Sequence, residues 1–372
     1  MQKKIDKLIL QSYLFYFSIF KKKRISEKDG AILLLADLLL GDLAMAGFFI
    51  QGLRLRNPDR KIVLLCKRNL EEVAQLFKVD KVISGNYLGW QVFKLIKEAS
   101  PEGYGQVINI FSGKWLPILN GLRVGIVSGF PNKRASKDFK LDKVFKVPSA
   151  PVVAAEFICH DITPASIANL PKLNFAKLAP SNSVIDFSNY FVLHIGASNE
   201  LRLWPINLLE NIIDEFAKNN VNLVVTGLDQ NQSYMNTLNN LLEKQSQKIS
   251  LINLIGKTKL LELLSVVKGS RGVASVDTGI IHWARLMGIP NLSVLGPSSE
   301  ALYGANSYLF QNSFTIAVNN LDCRDKKTFH GIQLSWLENC QKEICSYENR
   351  LCFDRINQVE LSCGVLKLIS KV

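Results

Sequence analysis

Residues 272–287 read GVASVDTGIIHWARLM. The apolar run at 272–276 predicts a buried parallel strand, and residues 280–287 have the spacing of a short helix. Asp277-Thr278-Gly279 lies between them, where the strand gives way to the N-terminus of the helix. Because free N–H groups at a helix N-terminus bind anions, this stretch predicts a strand–helix unit with an anion site at its junction.

The same alternation of apolar runs and helical patterns continues on both sides of this unit. Strands are predicted at 31–36, 61–66, 106–110, 123–127, 191–195, 221–226 and 291–295, and helices at 43–56, 70–77, 208–218, 260–267 and 358–369. Such alternation is typical of a parallel sheet covered by helices. Because the pattern occurs twice, it predicts an α/β fold of two Rossmann-like domains whose parallel sheets face a central cleft.

The length of 372 residues fits about two domains. Residues 129–185 contain six prolines and show little regular spacing of apolar residues. This indicates a surface segment followed by the linker between the domains. We therefore predict an extension at 1–30, a first domain at 31–185 and a second domain at 186–350. A final segment, 351–372, is predicted to form a helix that crosses back to the first domain.

The N-terminal extension is apolar between basic ends. Its thirteen residues 8–20 (LILQSYLFYFSIF) lie between lysines at 3, 4 and 7 and the basic run 21–24. A helix of that length reaches about 20 Å, which is short of the roughly 30 Å hydrocarbon core. No small-residue cleavage site follows, so no signal peptide is predicted. Helical spacing places Lys4, Lys7, Gln11, Ser18 and Lys22 on one side as a narrow polar stripe. The stripe and the flanking cations favour a helix in a membrane interface; the alternative is a helix packed on the protein's own core.

The net charge and the cysteine content indicate which kinds of ligand and compartment the protein has. Lys and Arg number 45 against 32 Asp and Glu, a formal net charge of +13. This excess is compatible with anionic lipid and phosphorylated sugars. Nucleic acid is not predicted, because no basic platform with interleaved aromatic residues is visible. The seven cysteines indicate a reducing compartment with free thiols, and a zinc site among the last five is the alternative reading.

Several common motifs are missing. The first predicted strand is followed by no G-x-G-x-x-G, and Gly256-Lys257-Thr258 lacks the glycine that would begin a P-loop. No Asp-x-Asp occurs, and this removes one common way for sugar transferases to hold a divalent metal. The sequence therefore predicts neither a bound cofactor nor a metal.

Two polar segments follow predicted strands. Gly41-Asp42 comes after the first strand, where a carboxylate near a helix N-terminus stays ionised and can accept a proton; an ordinary helix cap is the alternative. Arg202 lies in the segment 194–205 (HIGASNELRLWP), where it can bind phosphate oxygens or remain a solvated surface arginine. His194, inside an apolar run, is predicted to be a core histidine, and Trp204 can be a core residue.

Taken together, these motifs resemble those of glycosyltransferase family nine, the bacterial heptosyltransferases. The resemblance is carried by 194–198 (HIGAS), 202–205 (RLWP), 254–258 (LIGKT), 277–284 (DTGIIHWA), 296–298 (GPS), 41–42 (GD) and 56–59 (RNPD). It covers about 31–85 and 190–304. It implies a fold of the GT-B type and an inverting, metal-independent transfer of a sugar from a nucleotide-sugar donor.

The resemblance also implies roles for individual residues. Asp42 corresponds to the general base that removes the acceptor proton. Arg202 and Ser198 correspond to the residues that bind the donor diphosphate. Asp229 is matched to an acidic residue that reaches the ribose. These three positions in the second domain predict a donor site there.

The remaining donor residues come from two further loops. His282, Thr278 and Gly279 correspond to the groups that stabilise the leaving ADP. Asp277 corresponds to a residue that holds the heptose, and Thr258 to one near the adenine. The predicted donor is accordingly ADP-heptose.

The predicted acceptor is an anionic, lipid-linked saccharide of the lipopolysaccharide core, either Kdo-lipid A or a heptose. Lys67 and Arg68, which end the second strand, and Lys133 and Arg134, in a basic stretch, are predicted to bind it. The enzyme would then lie in the cytoplasm, peripheral to the inner face of the inner membrane. Two alternatives stay open: a transferase that uses another nucleotide sugar for surface polysaccharide or protein glycosylation, and a catalytically inactive scaffold with the same fold.

Overall fold

The computed structural model describes residues 2–19, 24–85, 89–131, 140–159, 163–178, 185, 189–197, 199–229 and 231–371. Contacts divide the chain into two compact units. The first unit consists of Met1–Pro148, Ile158–Phe175 and Thr328–Gln333, and the second of Ser149–Phe157, Ala176–Lys327 and Leu334–Val372.

This division differs from the predicted boundary at 185/186. The chain changes unit several times between Pro148 and Ala176, and six residues of the second half, Thr328–Gln333, belong to the first unit. Short segments of this kind have no periodic apolar pattern of their own. The sequence therefore does not indicate which core they join.

A parallel six-stranded sheet forms the centre of the first unit, in the order β3-β2-β1-β4-β5-β6. Its strands are β1 Ala31–Ala36, β2 Ile62–Cys66, β3 Lys81–Ser84, β4 Tyr104–Asn109, β5 Val124–Gly129 and β6 Lys143–Val144. The associated helices are α1 Gln2–Ile19, α2 Leu40–Arg56, α3 Glu71–Ala74 and α4 Trp90–Ala99. Strands β1 and β2 are buried along their whole length, as near-continuous apolar runs predict for a sheet covered on both faces.

The second unit repeats this plan, with strand order β12-β11-β10-β7-β8-β9. Its strands are β7 Tyr190–His194, β8 Asn222–Thr226, β9 Leu251–Asn253, β10 Gly272–Ser275, β11 Asn291–Leu295 and β12 Ser313–Ala317. Its helices are α5 Ala154–Ile158, whose last residue joins the first unit, α6 Ile206–Lys218, α7 Gln232–Gln245, α8 Leu260–Gly269, α9 Gly279–Leu286, α10 Glu300–Tyr303, α11 Leu351–Asp354 and α12 Gln358–Ser370. All strand pairs in both sheets are parallel, so the predicted α/β fold of two Rossmann-like sheets is confirmed.

Some local predictions were wrong or incomplete. Helix α2 begins at Leu40 rather than at 43, so Asp42 belongs to its first turn and not to a preceding loop. The helix predicted at 70–77 shortens to α3, preceded by a single 3₁₀ turn. Strands β3, β9 and β12 were missed, because strands of three to five residues at the outer positions of a sheet show little periodicity.

Helix α1 packs on the first unit through one of its faces. Leu10 is buried in that unit's core, and the Tyr13 ring lies 4.9 Å from Trp90 and 5.1 Å from Phe93. Leu8 on another face is 59% exposed. Part of α1 therefore packs on the protein's own core, which was the alternative to a helix in a membrane interface. Among the described helices, none is both long and apolar enough to cross a membrane.

Helix α12 lies against α6 and strands β10 to β12 of the second unit. Leu361, Val365 and Leu368 on one side of it are fully buried in that unit's core. The sequence predicted that this helix crosses back to the first domain, and the structure instead assigns it to the second unit. Its buried stripe explains this placement, since it completes the apolar cover of the second sheet.

His194, the last residue of β7, is a core histidine, as predicted. Its Nδ1 lies 2.9 Å from the Thr226 hydroxyl of the neighbouring strand β8. Burial lowers the pKa of His194 to about 4, because the imidazolium would lose its hydration there. The ring is therefore neutral and structural at physiological pH.

This burial makes a prediction about pH. Between about pH 6.5 and pH 4 the unfolded chain binds a proton at His194 that the folded chain does not bind, so stability falls as the pH falls. The lowered pKa corresponds to a loss of up to about 3 kcal/mol across this window. His194→Asn removes the titration while keeping a polar atom near Thr226. Urea unfolding at pH 7 and pH 4.5 should show a smaller loss for the variant; equal losses would contradict the assignment.

Candidate functional site

The polar residues of the second unit gather where its central strands end. Ser275 pairs with His194 on one side and with Ser293 on the other, so the loops after β10, β7 and β11 leave the sheet side by side. A side chain at Gly196, after β7, would come within 2.8 Å of the Leu228 nitrogen after β8. Glycine is therefore required where these two loops meet. Ligands of such sheets bind at this carboxyl edge.

Asp277 is the centre of this edge. Its side chain is only 5% exposed, and Arg202 Nη1 lies 3.4 Å from its Oδ2. His282 Nε2 lies 3.2 Å from its Oδ1, and the Ser298 hydroxyl donates to Oδ2. Both oxygens of this buried carboxylate thus have partners within the protein. A buried charge requires such partners, since an unpaired one would cost several kcal/mol.

The same contacts set the ionisation of Asp277. Burial by itself would raise the pKa of this carboxyl, but the charge of Arg202 and the bonds from His282 and Ser298 outweigh it. The pKa of Asp277 consequently lies well below its ordinary value. The carboxylate remains charged at physiological pH and serves as a fixed anchor for Arg202 and His282.

Arg202 and Trp204 have different tasks in the loop after β7. The Arg202 side chain is 30% exposed, and its Nη1 also lies 3.4 Å from the backbone oxygen of Asp277. Part of its guanidinium is thus available to an anion. Trp204 is fully buried and donates from Nε1 to the Val294 oxygen, so it is a core residue, one of the two readings that the sequence allowed.

Helix α9 begins directly after Asp277. Thr278 occupies its N-cap position, and its hydroxyl lies 3.3 Å from that of Ser275. Gly279 opens the helix, and His282 follows one turn later with 4% exposure. The structure therefore brings together Arg202 and the predicted group from 277 to 282. The N–H groups at this helix N-terminus and the Arg202 charge can both act on an anion.

Three other predicted donor residues need separate comment. Asp229 and Thr258 follow the paired strands β8 and β9, and a side chain at Gly256 would come within 3.1 Å of the Asp229 Cβ. Asp229 and Thr258 thus belong to adjacent loops at the same carboxyl edge. Asp229 is exposed and Thr258 is half-buried. Ser198 lies outside the described residues.

Asp42 lies at the corresponding edge of the first unit. It occupies the first turn of α2, and the Leu39 N–H points to its Oδ2 at 3.4 Å, so the carboxylate caps the N–H of the residue before the helix. Its side chain is 14% exposed. The capping interpretation from the sequence thus has a contact in the structure, and the role of Asp42 as a general base stays a prediction.

The predicted acceptor-binding cations are only partly described. Lys67 follows β2, and its Nζ lies 3.7 Å from Oδ1 of Asp37, which follows the neighbouring strand β1. Arg68 is exposed on the next turn. Lys133 and Arg134 lie outside the described residues. Lys67 and Arg68 are therefore at the carboxyl edge, and their role in acceptor binding stays a prediction.

Sequence reasoning missed His330. This residue belongs to a hairpin in the first unit, and its Nε2 lies 3.4 Å from Oδ2 of Asp42. The dipeptide His330-Gly331 was the only signal, because glycine often follows the first residue of a tight hairpin turn. His330 and Asp42 are far apart in the sequence, so no local pattern could predict their contact.

The cysteines of the C-terminal third share a small cavity. Cys323, Cys340, Cys345 and Cys352 line it, and none of them forms a disulfide. Burial raises the pKa of the Cys352 thiol to about 11, so this thiol is protonated at neutral pH. Within the described part of the chain, no three His, Cys, Asp or Glu side chains form a metal-binding group.

Comparison with known proteins defines the class. Residues 149–331 match the family model Glycosyltransferase family 9 (heptosyltransferase). Together with the paired parallel sheets, this match identifies a fold of the GT-B type. This part of the chain, residues 149–331, belongs to glycosyltransferase family 9. A comparison with curated protein sequences gives no significant match.

Solved structures support the fold assignment. A family 9 glycosyl transferase from Veillonella parvula superposes with a TM-score of 0.70 at 15% identity, covering 95% of this chain and 100% of that one. The E. coli ADP-heptose lps heptosyltransferase II gives 0.63 at 13% identity, with 92% and 99% coverage. E. coli heptosyltransferase WaaC with ADP-2-deoxy-2-fluoro heptose gives 0.55 at 15% identity, with 92% and 99% coverage. At these identities the likeness concerns the fold alone.

The Asp277 anchor leads to a stability prediction. Asp277→Asn removes the charge that balances Arg202 and accepts from His282, and we expect the free energy of unfolding to fall by about 3 kcal/mol. Urea unfolding followed by tryptophan fluorescence, to which the buried Trp204 and Trp283 of the second unit contribute, would measure this loss. Lys244→Ala, which breaks an exposed ion pair, is the control and should leave the midpoint unchanged. Equal midpoints for wild type and Asp277→Asn would contradict the anchoring role.

Proposed function

We propose that this protein is an inverting, metal-independent glycosyltransferase that moves heptose from ADP-heptose to an acceptor of the lipopolysaccharide core, either Kdo-lipid A or a heptose. The observation that carries the proposal is the buried Asp277 carboxylate, which fixes Arg202 and His282 next to the N-terminus of α9. It lies within the part of the chain that matches family 9. Two E. coli heptosyltransferase structures of the same fold contain ADP or an ADP-heptose analogue.

The second unit would bind the donor. As the bond between the anomeric carbon and the diphosphate breaks, negative charge grows on the leaving ADP. The exposed part of the Arg202 guanidinium and the N–H groups of Gly279 and the following residues would stabilise that charge without rearranging. This preset positive field can take the part that a divalent metal takes in other sugar transferases.

The remaining donor contacts follow from position. Asp229 would reach the ribose and Thr258 the adenine, since both lie in adjacent loops at the carboxyl edge. Asp277 can accept one more hydrogen bond from a heptose hydroxyl, because each carboxylate oxygen has two lone pairs. Its low exposure makes the anchoring of Arg202 and His282 its larger contribution.

Asp42 would act as the general base. The acceptor hydroxyl oxygen attacks the anomeric carbon opposite the leaving group, its proton passes to the Asp42 carboxylate, and ADP departs. A single displacement of this kind inverts the anomeric configuration. The contact from the Leu39 N–H holds one oxygen of the Asp42 carboxylate at the helix N-terminus. Lys67 and Arg68 would attract the anionic acceptor.

The direct test is ADP release. Purified protein should release ADP from ADP-heptose in the presence of Kdo-lipid A or a heptosylated core acceptor, and should not do so without an acceptor. A panel of nucleotide sugars in thermal-shift assays separates donors by the stabilisation that each gives. Stabilisation by a different nucleotide sugar alone would favour the transferase of other glycans. ADP binding without transfer to any acceptor would favour the inactive scaffold.

Two variants divide the proposed roles. Asp42→Asn should reduce turnover at least about 100-fold and leave ADP affinity within about twofold, since it removes the base and no donor contact. Arg202→Gln should weaken ADP binding by about 10-fold or more, because a charge-assisted bond to the diphosphate is lost. Steady-state kinetics and calorimetric ADP titrations measure both. An active Asp42→Asn variant would contradict the assignment of the base.

Helix α1 supports a further part of the proposal, contact with an anionic membrane surface. Ile5, Leu8 and Ile9 form an exposed apolar face, and Lys4 and Lys7 beside it are exposed cations. An apolar face with cations at its border suits the interface of a bilayer. The protein would then be cytoplasmic and peripheral to the inner face of the inner membrane.

Vesicle sedimentation tests this surface. The protein should bind vesicles that contain phosphatidylglycerol, and Leu8→Glu should weaken binding by about 10-fold through loss of apolar burial and added repulsion. Gln11→Glu makes the same charge change at an exposed polar position of α1 and serves as the control. Equal effects of the two variants would show that only net charge matters. Absence of vesicle binding by the wild type would contradict the proposal.

A further inference from the structure

The residues Thr328–Gln333 form a small hairpin within the first unit. Strands β13 Thr328–Phe329 and β14 Ile332–Gln333 pair antiparallel, with Phe329 opposite Ile332. His330 and Gly331 are the two turn residues, and both have positive φ, 47° and 82°. A two-residue turn of this kind favours asparagine or glycine first, and histidine is one of the few other residues that enter this region readily.

Aromatic packing holds the His330 ring in place. The ring stacks on Phe111 at 4.4 Å between centroids with a 6° interplanar angle, and Phe329 meets it edge-on at 4.5 Å. Phe111 follows β4 and also has positive φ, 58°, and it stacks on Phe130 as well, at 4.7 Å. Two residues in a sparsely populated backbone conformation thus meet face to face. Such conformations persist only where the surroundings impose them, and they often occur at functional sites.

The held ring brings a nitrogen close to Asp42. His330 Nε2 lies 3.4 Å from Asp42 Oδ2, and the two side chains are 25% and 14% exposed. The distance is long for a hydrogen bond, but contacts of this type commonly shorten when a substrate binds. The Leu39 N–H points to the same oxygen, so one edge of the carboxylate is fixed from two directions.

We propose that His330 is a positioning residue for Asp42: its Nε2–H holds Oδ2, and this orients the carboxylate so that Oδ1 faces the acceptor hydroxyl. The inference rests on the proposed function of Asp42 as the base. His330 itself takes no proton from the acceptor. Because a base displaced by about 1 Å loses about two orders of magnitude in rate, such a contact has a measurable effect on turnover.

Two substitutions separate the contact from the packing. His330→Phe keeps a flat ring for Phe111 and removes the nitrogen, whereas His330→Gln keeps an N–H at a similar reach and removes the ring. His330→Phe should lower kcat by about 10-fold or more with KM for the donor, ADP affinity and the unfolding midpoint little changed. His330→Gln should recover most of that loss. Gln333→Ala, an exposed position of the same hairpin, is the matched control and should have wild-type kcat.

The combination with Asp42→Asn gives the decisive comparison. In that background His330→Phe should cause no further loss of kcat, because a positioning residue acts only through its partner. A further 10-fold loss there, or a kcat of His330→Phe within twofold of wild type, would overturn the proposal. Equal losses for the Phe and Gln variants, accompanied by a lower unfolding midpoint, would show a purely structural role and also overturn it.

A readout without turnover keeps the two hypotheses distinct. In protein with ¹⁵N-labelled histidine, the Nε2 resonance of His330, assigned by its loss in His330→Phe, should be that of a protonated nitrogen and should move in Asp42→Asn. An unchanged resonance would overturn the contact whatever the activity. If the resonance moves but wild-type protein transfers no sugar to any acceptor, the contact stands, the proposed function fails, and with it the positioning role.

Discussion

The buried carboxylate of Asp277 is the constraint on which the second unit's site depends. A charge removed from water must be compensated, and here Arg202, His282 and Ser298 come from three separate segments to do so. Each of these segments follows a strand of the same parallel sheet or lies in the helix after it, so the sheet must be complete before the charge is balanced. Folding and the formation of the anion site are thereby linked. The pKa of Asp277 is strongly lowered because these partners, brought together by folding, stabilise its charged form.

The two units share one local geometry, and the roles proposed for their carboxylates differ. In each, a strand ends at a turn, a helix begins, and a carboxylate lies near the helix N-terminus: Asp42 in the first unit and Asp277 in the second. Asp277 is enclosed and fully engaged, which suits an anchor. Asp42 is more accessible and contacts the hairpin and its own helix end, which suits the proposed exchange of a proton. Burial and partners, rather than residue type, separate the two roles.

Some buried polar residues near these sites have a structural role and no proposed part in the reaction. His194 is held neutral between strands β7 and β8. Arg285, buried in α9, donates to the Tyr303 oxygen and the Ser293 hydroxyl, and burial lowers its pKa to about 10. These residues lie within a few residues of the proposed donor contacts. Their hydrogen bonds fix the strands and the helix that carry the site, and this explains why polar side chains are tolerated there.

The sequence by itself determined the paired α/β sheets and the strand–helix junction at Asp277, because apolar periodicity and strand–turn–helix motifs are local properties of the chain. It also indicated that Asp42, Arg202, Thr278 and His282 stand at such junctions. The tertiary structure alone decided which of these touch. The Arg202–Asp277 pair needed two strands side by side, and the contact of His330 with Asp42 needed a six-residue hairpin from the second half of the chain to fold into the first unit. Contacts between segments distant in sequence leave no periodic trace, since they are selected by the shape and charge of the assembled core.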